Sequence, residues 1–389
     1  MRPIVLLLGF AGFVAIAVMR VADPLLPMLS EEFAVSLGGA GLIVTAYSLP
    51  YGLFVLVYGP LGDRFGKLRV IILSMGLSAL CIFMCGFADS LAQLIFWRFL
   101  TGITCAATVP LSLAFIGDHY PIAERQKALA RYMSGVILGQ IFGAGLGGLF
   151  ADVAGWRNLF RGYGVLTACA ALAVWYGARR LAMPPQVVIG LRGTVARYLS
   201  VLRHPAGREV MLAVFIEGFL LFGGTAFLGA LLHDQYGLSL TRVGGMLVCV
   251  GLGSLVYTAS VGWLMRRFGQ RAMIAAGGIL MFGCLATLAH TRMALIAAPA
   301  LLLLGLAIYL MHNTLQMLAT ELAPEARGTS VSLMAFMLFA GQAAGAFCLG
   351  VAIDRIGYAT SYTALAVALV LLGAWLQGTR AVRRGPLAR

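Results

Sequence analysis

Twelve continuous apolar runs constrain this chain more than any other feature of it. They fall at roughly 4–28, 40–60, 70–88, 91–115, 132–151, 160–180, 210–232, 242–264, 272–290, 294–317, 329–351 and 360–378. A helix needs about 20 apolar residues to cross a bilayer, whereas barrel strands alternate apolar and polar residues over about ten. The runs therefore predict an all-α membrane protein with twelve transmembrane helices. Only 11% of the 389 residues are charged and 61% are hydrophobic, against about a quarter charged in soluble domains. The first run begins basic and then apolar, like a secretory signal. It continues into Arg20-Val21-Ala22-Asp23 without a small-residue cleavage site, so it reads as a retained first span.

Orientation follows from Lys and Arg in the short loops. With a cytoplasmic N-terminus, Arg2, Arg64, Lys67, Arg69, Arg125, Lys127, Arg131, Arg266, Arg267, Arg271 and Arg327 lie inside. So do the six arginines of 179–208 and the four of the 380–389 tail. Arg157, Arg161, Arg242, Arg292 and Arg355 lie outside, and Arg20 and Arg98 fall in the membrane. The split is 21 inside against 5 outside. Both termini are expected in the cytoplasm, with the chain multi-pass in the inner (plasma) membrane. The net charge of +14 is then a topology signal, and no nucleic-acid partner is expected. The seven cysteines all lie in apolar runs and read as packing residues. Neither a clustered nucleophile nor a His/Cys or His/Glu set stands at ligand spacing. An enzyme is not expected, nor a cofactor or metal.

The chain also repeats itself. Residues 59–70 align with 262–273 at an offset of 203, and 139–156 align with 341–358 at 202. In the second match Gln140, Gly143, Gly148, Asp152 and Gly155 fall on Gln342, Gly345, Gly350, Asp354 and Gly357. Residues 31–36 fall on 234–239. The expected organisation is an N-terminal six-helix bundle over 1–181, a central cytoplasmic loop over 182–208 and a C-terminal six-helix bundle over 209–389. Parallel paired halves are typical of secondary transporters, which bind substrate between the halves near the midplane.

Residues 59–70, Gly-Pro-Leu-Gly-Asp-Arg-Phe-Gly-Lys-Leu-Arg-Val, resemble the loop between the second and third spans of the major facilitator superfamily. Gly59, Leu61, Asp63, Arg64, Gly66 and Lys67 match. The resemblance implies two pseudo-symmetric six-helix bundles. It also implies a conformational latch, in which a carboxylate at a helix end holds basic residues and the N-terminus of a neighbouring helix. The second copy has Arg266 in place of Asp63. Arg98 and Gly102 in "RFLTG" resemble the fourth-span motif of proton-coupled exporters. Arg98 is then a proton-relay partner or a brace for the bundle, since a mid-span arginine needs a partner or a polar cavity. Gly139, Gly143, Gly147 and Gly148 resemble the fifth-span antiporter motif, with Ala144 where proline is usual. Small residues at this spacing also pack helices closely, and losing the proline removes a kink. The resemblance thus points to the drug:proton antiporter-like exporters.

Such an exporter needs a carboxylate that titrates in its cavity. Asp23 and Glu217 lie in spans and are the proton-coupling candidates, with Arg98. Arg20, Tyr47, Gln140, Phe215, His312, Asn313 and Gln342 are candidates for the substrate cavity. The repeat register runs span 1 over about 7–29, which puts Arg20 about 13 Å and Asp23 about 9 Å below its outer end. Their spacing lets them pair on one helix face, and Pro24 favours a bend beside them. Asp23 either carries a proton or serves only as the counter-ion of Arg20. The expected partners are a small-molecule substrate, protons and the lipid bilayer, with the chain a monomer. Proton-coupled efflux of drugs or amphiphiles leads. A dedicated exporter of a metabolite such as a siderophore, a proton-coupled importer, and a membrane sensor or assembly partner are the alternatives.

Overall fold

The computed structural model describes residues 2–179, 181, 191–322 and 327–383. Of the residues used above, Arg180, residue 182 at the expected boundary, Arg384 and Arg389 lie outside the described residues. Among the described residues nine helical stretches are long and apolar enough to cross a membrane. Three of them contain a glycine at positive φ, namely Gly155, Gly269 and Gly357. Dividing there gives twelve spans. Span 1 is Pro3–Glu32, span 2 Leu37–Phe65, span 3 Lys67–Cys85 and span 4 Leu91–His119. Spans 5 and 6 share Ile122–Ala178, and span 7 is Pro205–Tyr236. Spans 8 and 9 share Leu240–His290, span 10 is Ala294–Glu321, and spans 11 and 12 share Arg327–Gly378.

The repeat is written into the backbone. Gly66 (φ 92°) and Gly269 (φ 71°) stand 203 apart, and Gly155 (φ 77°) and Gly357 (φ 74°) stand 202 apart. Ala34 (φ 49°) and Gly237 (φ 63°) are again 203 apart, although only glycine takes this conformation without strain. The turns they make are capped alike. Ser36 Oγ accepts from the Gly39 amide and Ser239 Oγ from the Arg242 amide. Acids at the ends of spans 1 and 7 take donors that stand 202 apart: the Trp156 indole donates to Glu32 and the Tyr358 hydroxyl to Asp234, both at 2.5 Å.

Glycines set how closely spans 1 and 5 approach. A Cβ added at Gly135, Gly139, Gly143 or Gly147 would fall against backbone of Gly9, Phe13, Ala17 or Val21 respectively. Both series step by four, so one glycine ridge lies along one face of span 1. Span 5 stays helical through Ala144, its break coming only at Gly155. The glycines that resemble the antiporter motif thus lie at close helix contacts, and the helix continues without a break past Ala144.

Span 1 is interrupted where Pro24 favours a bend. Its first helix ends at Arg20, a 3-10 turn covers Asp23–Leu25, and the helix resumes at Leu26. Pro24 has no amide to donate, which favours the break. Span 7 breaks at the equivalent place, with a π-helical turn at Gly218–Phe222 and a second gap at Ala226 and Phe227.

The central segment corrects an expectation. Residues 182–208 are expected as a loop, yet Leu191–Arg203 is a helix and span 7 begins already at Pro205. Its apolar residues 191, 195, 198, 199 and 202 recur at helical spacing, a pattern that its charge masks. The Tyr198 hydroxyl donates to the Leu56 carbonyl of span 2 at 3.3 Å. The segment is therefore tied to the first half of the chain as well as leading into the second.

Candidate functional site

The broken turn of span 1 carries Arg20 and Asp23 side by side. The Arg20 guanidinium donates to Asp23 Oδ2 at 3.4 Å, and both residues are buried. Because the helix stops at Arg20, its side chain and that of Asp23 turn together into a cavity between the first and second halves of the chain. Gln140 and Ala144 of span 5 complete the first-half wall. The second half contributes mainly apolar surface, with Phe222 and Thr225 from span 7 and Leu247 and Gly251 from span 8. Arg20, Asp23 and Gln140, singled out in the sequence, are thus brought to one wall.

Glu217 sits on span 7 just before the π-helical turn and is fully buried. Its Oε2 lies 3.2 Å from His312 Nδ1 on span 10, while Oε1 has no hydrogen-bond partner. Phe222 links this pair to the first. Its ring lies edge-on to the His312 ring at 5.3 Å and 5.8 Å from the Arg20 guanidinium carbon. Phe222 is the last residue of the π turn, and such turns recur at functional sites. Sequence reading misses Phe222, because an aromatic residue in an apolar span carries no mark of its direction.

Arg98 lies behind the cavity wall. It is 1% exposed, donates to the Val18 carbonyl at 3.1 Å and covers the Tyr47 ring at 4.4 Å. The Phe160 ring closes over it at 5.9 Å, and its Nε has no partner. These contacts join spans 1, 2, 4 and 6, the geometry of a brace. Tyr47 is accordingly a platform for Arg98 and lies outside the cavity wall. Phe215 and Gln342 also lie outside it, in the contact of spans 7 and 11, where Gln342 Oε1 is buried and unpartnered. Asn313 faces the Tyr257 hydroxyl of span 8, and Tyr309 faces Gln140 across the halves.

The loop motif forms its own cluster at the far end of spans 2 and 4. Lys67 bridges Asp63 at 2.9 Å and Asp118 at 2.6 Å. Asp118 ends span 4 and is not among the expected latch residues. Gly66 makes the turn at positive φ, and Arg64 lies over the Phe65 ring at 5.2 Å. A Cβ at Gly59 would meet nothing within 4 Å, whereas one at Gly62 would meet Leu111 at 2.5 Å. The close approach in this motif is therefore made by Gly62.

Comparison with known proteins agrees with this architecture. The family model of the Major Facilitator Superfamily matches residues 8–346. The MFS-type transporter YceJ of Bacillus subtilis (strain 168) is 26% identical over 352 residues, 88% of this chain and 88% of YceJ. The multidrug export protein EmrB of Haemophilus influenzae is 28% identical over 155 residues, 40% of this chain and 30% of EmrB. The solved structure of the human organic anion transporter MFSD10 shares the fold, with a TM-score of 0.72 and 19% identity over 97% of this chain and 99% of that one. By description these are transporters or exporters, and with the apolar spans they make this chain a multi-pass membrane transporter and not an enzyme. The chain belongs to the Major Facilitator Superfamily.

Proposed function

We propose that this chain is a proton-coupled exporter of small amphiphilic compounds, drugs among them, in the drug:proton antiporter-like subgroup. It works by alternating access of two bundles, 1–181 and 209–389, as a monomer in the inner (plasma) membrane with both termini cytoplasmic. One observation carries the reading. Two buried carboxylates, one from each half, flank one cavity: Asp23 with Arg20 lines it, and Glu217 with His312 lies behind Phe222, whose ring lines the cavity and stands between the pairs. The likeness to a multidrug export protein over 155 residues supports the cargo class.

The two pairs have different work. The Glu217–His312 pair carries the proton, because a proton taken up by the Glu217 carboxylate cancels its charge. Asp23 is already compensated by Arg20, and a cationic head group can take Arg20's place on it while Phe222 covers the apolar part. Cargo is then held while Glu217 is charged. A proton entering from outside removes that charge and releases the cargo, and the proton leaves to the cytoplasm once the cavity has turned inward. Arg98 braces the wall that holds Asp23.

A second reading, export of an organic anion such as an endogenous metabolite, is favoured by Arg20 in the cavity wall. Proteoliposomes with an imposed pH gradient separate them. Wild type should drive a lipophilic cation uphill. Glu217→Gln, locked in the neutral state that releases cargo, should hold it weakly and lose uphill movement, and Asp23→Asn should weaken binding about tenfold or more while leaving the proton step intact. Uphill movement of cation at wild-type rate by both variants would sink the assignment. Uphill movement of organic anions alone would favour the second reading.

A further inference from the structure

On the face opposite the termini, two helices begin with identical local chemistry. Span 2 starts at Leu37 after the cap Ser36, and span 8 starts at Leu240 after the cap Ser239. Each serine takes the amide three residues on, that of Gly39 or Arg242. The amide two residues on is left over, as the first amides of any helix are. In both helices it is taken by a carboxylate from the other half of the chain. The Gly38 amide donates to Asp354 at 3.2 and 3.1 Å, and the Thr241 amide and hydroxyl both donate to Asp152 at 2.7 Å. Asp152 ends span 5 and Asp354 ends span 11. The acids stand 202 apart and the amides 203 apart, so the two contacts are copies exchanged between halves.

The backbone beneath each carboxylate is in contact. A Cβ at Gly38 would fall 2.8 Å from Gly350 of span 11, and a Cβ at Gly148 would fall 2.1 Å from the Leu240 carbonyl of span 8. Each carboxylate can thus reach its amide only when its seam is shut. Both acids are exposed, so water can satisfy them once a seam opens. The contacts are reversible fastenings, and a carboxylate in the first turn also gains from the helix dipole.

We propose that Asp152 and Asp354 are paired gating residues that hold the transporter shut on the face opposite its termini, each fastening a helix start in the opposite half. The proposal does not depend on the coupling ion, the cargo or the direction of transport. The general worth of a carboxylate at a helix start amounts to about two- to fivefold in an equilibrium constant. Two independent clasps should therefore multiply to about tenfold.

Hydrogen–deuterium exchange of the full chain in lipid nanodiscs reads this directly. Asp152→Ala and Asp354→Ala should each speed exchange about two- to fivefold along both seams, at the starts of spans 2 and 8 together. The double variant should reach about tenfold. Peptides at the termini-side ends of spans 4, 5, 10 and 11 should become slower, because closing one side accompanies opening the other. Asp89→Ala, an exposed acid on the same face but off the seams, should change neither. If either Ala variant fails to fold, Asp152→Asn and Asp354→Asn keep an acceptor oxygen without the charge and should act in the same direction, more weakly. A response confined to the mutated acid's own amide partner, with the other seam and the opposite face unmoved, would reduce both residues to ordinary helix caps and overturn the proposal.

Discussion

Alanine placed along the glycine ridge of span 5 should destabilise the protein in a fixed order. An ordinary van der Waals contact begins at 3.4 Å. A Cβ at Gly135 would stand 2.1 Å from the Gly9 carbonyl oxygen, one at Gly139 2.3 Å from that of Phe13, one at Gly143 2.8 Å from Ala17, and one at Gly147 3.0 Å from Val21 and Pro24. The shortfalls run from 1.3 Å down to 0.4 Å. The atoms met are mostly backbone, so no side chain can rotate away and spans 1 and 5 must part. Overpacking of this kind costs about 1–3 kcal/mol, while alanine for glycine within a helix returns about 0.5–1 kcal/mol. Gly135→Ala and Gly139→Ala should therefore lose roughly 1–2 kcal/mol net, and Gly147→Ala should be close to neutral. Gly76→Ala and Gly283→Ala supply the baseline, because a Cβ there meets nothing within 4 Å. Equilibrium unfolding in mixed detergent–dodecyl sulfate micelles measures all six. If the four ridge variants match the two controls, or if Gly147→Ala is the worst of them, the tight contact of spans 1 and 5 does not exist as described.

Removing His312 leaves Glu217 buried with neither oxygen bonded, a loss of about 1–3 kcal/mol for an unsatisfied buried acceptor. Glu217→Gln added to His312→Ala should recover much of it, and a double-mutant cycle on unfolding midpoints checks the coupling. Ala34→Gly should stabilise by up to about 1 kcal/mol, since a left-handed alanine is strained by about that much. An unchanged or lowered midpoint would mean that the strain at φ 49° is not real.

The spans, their number and the repeat are legible in the sequence because they rest on composition and on glycine. A run of twenty apolar residues has one stable form in lipid, and two of the three paired turns at positive φ use glycine in both copies. Gly66 therefore aligns with Gly269, and Gly155 with Gly357, on the order of residues alone. The pairing of Arg20 with Asp23 is legible for a similar reason, being local and three residues apart. Contacts between distant segments are not. Nothing in the order of residues says that Phe222 lies between Arg20 and His312, or that Arg98 reaches back to Val18 and the Tyr47 ring. Asp118 joins the loop motif only because span 4 ends beside it. The helix at Leu191–Arg203 is hidden for another reason, that a short amphipathic run rich in arginine reads equally well as a charged loop.

What repeats and what does not repeat divide cleanly. The turns, the serine caps, the acids at the ends of spans 1 and 7 and the two carboxylate clasps all occur twice. Two halves that rock about a shared axis need the same joints on both sides, so any change in one joint unbalances the other. The cavity follows the opposite rule. By the same offset, Arg20 and Asp23 fall on Gly223 and Ala226, Glu217 on Val14, His312 on Val109 and Arg98 on Leu301. No ionisable group of the site has an ionisable twin. The proposed cargo, with a charged end and an apolar end, would itself be asymmetric, and a symmetric cavity would hold it equally well in two opposed orientations. Placing one acid with arginine in the first half and the other with histidine in the second gives the cavity a single preferred orientation while leaving the joints matched. On that logic, substitutions at the joints should act on the balance between the two faces, and substitutions at the charged pairs should act on what is carried.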